Sequence, residues 1–168
     1  DAAEFDPDRM QVAEAAWTAD VHGIVIPAVE AANFSTVRDL AQQTRGGAYA
    51  LGIHPLYVNR AQPADLDVLR QAVIAALDDP RFVAIGEIGL DFFVTEIASG
   101  EARERQEYFY DAQLALAAEF DLPVLLHVRR SQDVLLKYLR RRTGVRGGIA
   151  HAFNGSAQQA HAFVERGF

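Results

Sequence analysis

The chain has 168 residues, half of them hydrophobic, a net charge of -7 and no cysteine. That allows one domain with a substantial core and excludes a disulfide framework or a thiolate metal site. No apolar run approaches the roughly 18 residues of a membrane-spanning helix, the acidic first residues lack the basic start and apolar stretch of a signal segment, and the acidic balance argues against a protein that coats polyanions; the expectation is a cytoplasmic protein without a membrane partner.

Asp6-Pro7 reads as a helix cap and first turn, with Met10, Ala13 and Trp17 recurring at helical spacing, and "GIVIPA" follows as a short buried strand. Ser35 reads as the cap of a second helix that turns Val37, Leu40 and Ala41 inward and stops before Gly46; "AYALGIH" is the second strand. Leu66, Leu69, Val73 and Leu77 mark a third helix, "FVAIGE" a third strand, and "ERQEYFYDAQLALAAEF" a long helix with Phe109, Ala112, Leu116 and Phe120 on one face. "PVLLH" is the fourth strand. Ser131 reads as the cap of "QDVLLKYLRR", Gly144 ends that helix, "GGIAH" is a fifth strand, and Ser156 opens a last helix through Val164 with Gly167 behind it. No low-complexity linker divides the chain.

Helices and strands in this alternation imply a parallel sheet covered by helices, either doubly wound or closed as a barrel. A barrel gathers its reactive groups at the carboxyl ends of the strands. The strand-terminal residues here are His54, Glu87, His127 and His151, so three of the five histidines stand where a barrel would place its site. Taken singly, each histidine has a structural reading as a hydrogen-bonded core residue, and Glu87 one as a paired carboxylate. Together, neutral imidazoles and a carboxylate suit a divalent ion such as Zn²⁺, Mn²⁺ or Co²⁺, which would offset the cost of desolvating Glu87. His22 and His161 lie in or beside helices and keep the structural reading.

"AIGEIGLDFF", "RQEYFYDAQLALAAEFDLPVLLHVR", "GGIAHAFNGSAQQAHAFVERGF" and the "GIHP" around His54 closely resemble the TatD family of metal-dependent deoxyribonucleases, which belongs to the amidohydrolase-like barrels. The resemblance implies a partial TIM-type (β/α) barrel of about five parallel strands and six helices, its first and last strands missing. It also implies that residues 1–168 form one incomplete barrel domain of a longer hydrolase. Glu87, His127 and His151 match the family's metal ligands, in a complete site holding two divalent ions drawn from Mg, Mn, Zn or Co. The family's first strand carries H-x-H followed by Asp, for which Asp1 is the candidate, and a late strand carries a further Asp in an E-T-D context; neither H-x-H nor E-T-D occurs here.

The reaction implied is hydrolysis of phosphodiester bonds, of the 3'-5' deoxyribonuclease type, by the complete protein acting on DNA or a related substrate. The chain by itself is expected to be inactive. His54 is a candidate phosphate contact, with a structural role in its turn as the alternative, and Arg129 can bind phosphate in a fork geometry. Arg130 and the cluster Arg140, Arg141, Arg142 and Arg146 read as solvated or dipole-favoured cations, Asp133 as a helix-start acid, and Asp91 as an orienting group behind the ligands. Two further functions stand beside this one. The first is a metal-dependent hydrolase of small amides, lactones or esters on the same barrel; its carbamylated-lysine form is disfavoured, because the only lysine, Lys137, falls in a helix. The second is a non-catalytic fragment completed by another chain.

Overall fold

The computed structural model describes residues 2–168; Asp1 lies outside them. Five strands, β1 (Ile24–Pro27), β2 (Gly47–Leu51), β3 (Phe82–Asp91), β4 (Val124–Arg129) and β5 (Gly148–His151), pair in parallel and in chain order. Six helices separate or flank them: α1 (Arg9–Thr18), α2 (Phe34–Gln43), α3 (Ala64–Ala76), α4 (Gly100–Glu119), α5 (Gln132–Arg141) and α6 (Ala157–Val164). The fold is α/β, a half-barrel of the TIM type.

The two faces of the sheet differ in burial. In β4, Val124, Leu126 and Val128 are buried, while Leu125, His127 and Arg129 between them are only half-buried. The buried set joins Leu69 and Val73 of α3, Phe109 and Leu114 of α4, and Leu135 and Leu136 of α5 in one core, so the helices cover the outer face. The other set looks toward the barrel axis. On the edge strands, Val25 and Ile149 are 43% and 57% exposed.

Local chemistry adjusts several sequence expectations. The helix expected to begin at Ser35 starts at Phe34, with Asn33 as its N-cap residue; the Asn33 side-chain oxygen faces back and accepts the Val29 and Glu30 backbone N–H groups at 3.2 Å each, which fixes the turn before the helix. Ser131 does precede α5, but its hydroxyl donates to the Leu90 carbonyl at 2.7 Å and so ties α5 to β3. Ser156 forms a capping box with Gln159. Leu77 lies just past α3 and is 47% exposed, and Met10 on α1 is 54% exposed.

One irregularity matters for function. Ile85 pairs with Val124 and Ile88 with Leu126, so three steps along β3 match two along β4. The extra residue is absorbed at Gly86-Glu87, opposite Leu125, which is how a β-bulge re-aims a side chain. Ile85 and Ile88 both remain fully buried. Gly86 makes this possible: a Cβ there would sit 2.6 Å from Cβ of Leu125. Gly89 is in register with His127 at φ +140°, and a Cβ on it would lie 2.3 Å from the His127 carbonyl oxygen.

Candidate metal centre

Behind the carboxyl ends of β2, β3 and β4, helix α4 supplies the scaffold. Gln106 and Gln113 are two turns apart on it and almost wholly buried. Gln113 accepts the Ile53 N–H at 2.7 Å and donates to the Ile53 carbonyl at 3.1 Å, which fixes the segment carrying His54. Gln106 accepts the Asp91 N–H at 2.8 Å and donates to the Asp91 and Ile97 carbonyls. Arg105 holds the following turn through the carbonyls of Val58 and Ala61. These residues went unnoticed in the sequence, although two glutamines in the apolar stripe of a helix are a readable sign of buried amides aimed at backbone.

His54, Glu87 and His127 converge at these strand ends. Oε1 of Glu87 lies 2.9 Å from His127 Nδ1 and 3.6 Å from His54 Nε2, and the two ring nitrogens are 3.1 Å apart. Their side chains are between 9% and 16% exposed. One ligand-type atom from each lies within 4.8 Å of the others. His151 occupies the neighbouring strand in register with His127, with an exposed side chain, and is not part of that group. Arg129 stands two residues beyond His127 on the same face, its Nη1 3.8 Å from Asp91 Oδ2.

Asp91 is fully buried. Its Oδ1 accepts the Phe93 and Val94 N–H groups at 2.9 and 3.0 Å, and its Oδ2 lies 2.9 Å from His127 Nε2. Burial pushes the Asp91 carboxyl up, but the bonds from Val94, His127 and Phe93 outweigh it and hold the group below the usual carboxylate range. An ionised carboxylate only accepts, so Nε2 of His127 carries the hydrogen, and Nδ1 is the atom turned to Glu87.

Glu87 follows the same balance: burial would raise it, yet the hydrogen bond with His127 and the nearby His54 ring hold it well below the usual range. For His127, burial favours the neutral ring, and the two carboxylates flanking it win and raise its pKa.

His54 is set differently. The Leu56 N–H donates to its Nδ1 at 3.1 Å, so Nδ1 holds the lone pair and a neutral ring bears its hydrogen on Nε2. That nitrogen lies 3.1 Å from His127 Nδ1 and 3.6 Å from Glu87 Oε1, beyond hydrogen-bond length to the carboxylate. Proximity alone places His54 among possible ligands, but its tautomer favours hydrogen-bond donation.

The donor set therefore fits a divalent ion: an ionised carboxylate, an imidazole nitrogen fixed from behind by a carboxylate, and no sulfur. A cavity of about 540 Å³ between α2 and α3, lined by Phe34, Arg38, Tyr49 and Asp79, contains none of these residues.

The family described as "TatD related DNase" matches residues 1–168. An Escherichia coli K12 protein named "Uncharacterized metal-dependent hydrolase YjjV" is 39% identical over the whole chain, which spans 62% of its length. A Pantoea protein named "3'-5' ssDNA/RNA exonuclease TatD" is 33% identical over 99% of the chain, again spanning 62% of its length. The crystal structure of the Escherichia coli YjjV, titled a TatD homologue, superposes with a TM-score of 0.89 over 99% of this chain and 62% of that one.

Proposed function

Because the chain belongs to the TatD-related DNase family, we propose that it is the central part of a longer barrel domain whose complete form is a metal-dependent phosphodiesterase acting on single-stranded DNA. The observation that carries this reading is the pairing of Glu87 with a His127 whose outer nitrogen is occupied by Asp91. Glu87, His127 and His151 would hold divalent metal, with a second ion in the complete site. When bound, such an ion supplies Lewis acidity, offsetting charge on phosphoryl oxygens and lowering the pKa of an attacking water.

The chain's own residues do the rest. His54 Nε2–H donates to a non-bridging phosphate oxygen, held in that tautomer by Leu56 N–H. The Arg129 guanidinium, turned toward the site mouth beside Asp91, binds the same phosphate. Asp91 keeps His127 oriented through Nε2. In the net reaction water adds to phosphorus, the bond to the leaving alcohol breaks, and the proton of water ends on the new alcohol or phosphate. The proposed compartment is the cytoplasm, and no helix is long and apolar enough to cross a membrane.

A second reading, hydrolysis of small amides, lactones or esters, is favoured by one observation: two of the relatives, at 39% and 35% identity, carry names that specify metal-dependent hydrolysis without a substrate. Full-length protein stripped with a chelator and reloaded with Mn²⁺, Mg²⁺ or Zn²⁺ separates the two. It should shorten single-stranded DNA from the 3' end and lose that activity on renewed chelation. Intact DNA alongside rapid turnover of a lactone or amide panel would overturn the nuclease reading.

A further inference from the structure

Phe93 is an exposed aromatic at the mouth of the site. It stands two residues beyond the buried Asp91, its backbone N–H bonded to that carboxylate, and the residue is 45% exposed. The Arg129 guanidinium carbon lies 3.8 Å from the ring centroid and that of Arg130 4.6 Å from it. Both arginines come from the end of β4, the strand that carries His127. Arg130 follows it with φ +53° and makes no ion pair among the described residues.

Cation-π contacts recur elsewhere in the chain, for example Arg45 on Trp17, and one alone says little. The combination is different. A large apolar ring left in water at the edge of a phosphate-accepting site carries two guanidinium groups, in a chain whose net charge is -7. Single-stranded nucleic acid needs that pairing of features, a π surface on which a base can stack and cations for the phosphates beside it.

We infer that Phe93, with Arg129 and Arg130 packed on it, is a base-stacking platform for the nucleotide next to the scissile phosphate of a single-stranded nucleic acid. Arg129 reaches inward toward the reacting phosphate and Arg130 outward to the next one. The base stacks on the exposed part of the ring, beside the two guanidinium groups packed against it. The platform reads no sequence, because every base offers a π face. This inference rests on the phosphodiesterase reading and names how that site holds its substrate.

The test compares two labelled strands of equal length, one with bases and one abasic, by fluorescence anisotropy on full-length protein in EDTA, so that no strand is cut. Phe93→Ala should weaken binding of the base-containing strand about tenfold and the abasic strand less than about twofold, and Phe93→Trp should restore the difference. Arg130→Ala should weaken both strands alike. Unchanged affinity of Phe93→Ala for the base-containing strand, or an equal loss on both strands, overturns the platform. Hydrolysis of bis(p-nitrophenyl) phosphate by the metal-loaded wild-type protein reads the phosphodiesterase assignment separately, since that substrate has no nucleobase.

Discussion

Replacing Glu87 by alanine in the full-length protein is expected to lower metal-dependent DNA hydrolysis by about a thousandfold or more, since charge stabilisation by a positioned metal is worth several kcal/mol. The bulge at Gly86-Glu87 delivers the carboxylate to the axis-facing side of the sheet, opposite Leu125. With the carboxylate gone, His127 Nδ1 faces no anion. The core should survive, because Ile85 and Ile88 on either side are buried independently of Glu87. Activity within about tenfold of wild type, at equal thermal stability, would show that the chemistry does not run through this carboxylate.

The paired substitutions Asp91→Ala and Asp91→Asn should separate fold from tautomer. Alanine leaves the Phe93 and Val94 N–H groups and His127 Nε2 without their acceptor, a loss of about 2–3 kcal/mol in unfolding free energy together with weaker metal binding. Asparagine can keep its carbonyl on the two backbone N–H groups, which turns its NH₂ toward His127 Nε2. A donor there forces the hydrogen onto Nδ1, the nitrogen that a metal needs free. Asp91→Asn should therefore stay within about 1 kcal/mol of wild-type stability yet lose about 10- to 100-fold in metal affinity. Calorimetric metal titration beside chemical denaturation of the two variants gives both quantities. Undiminished metal affinity in Asp91→Asn would remove Asp91 from the positioning of His127.

The alternation of apolar strands and amphipathic helices was enough to read the parallel order β1 to β5, and each predicted strand is present. The same reading made His54, Glu87, His127 and His151 the last residues of their strands, because each is a polar residue closing an apolar run. β5 does end at His151, but β2 stops at Leu51, short of His54, and β3 and β4 run on past Glu87 and His127 to Asp91 and Arg129. What it could not show depends on residues far apart in the chain. The bulge is visible only when β3 is laid against β4. The tautomer of His54 depends on a backbone N–H two residues on, and that of His127 on a carboxylate 36 residues earlier. Phe93 was legible only as part of "GLDFF". Its two arginine neighbours come from the next strand and meet it only in the folded chain.

The most direct measurement is anomalous scattering from crystals of the full-length protein grown with Mn²⁺. The account predicts an anomalous peak within ligating distance, about 2.0–2.3 Å, of a Glu87 carboxylate oxygen and of His127 Nδ1, with His127 Nε2 still on Asp91 and His54 Nε2 outside the coordination sphere. A peak held by other residues with Glu87 and His127 still paired to each other, or an ion ligated by His54 with its Leu56 hydrogen bond broken, would contradict it.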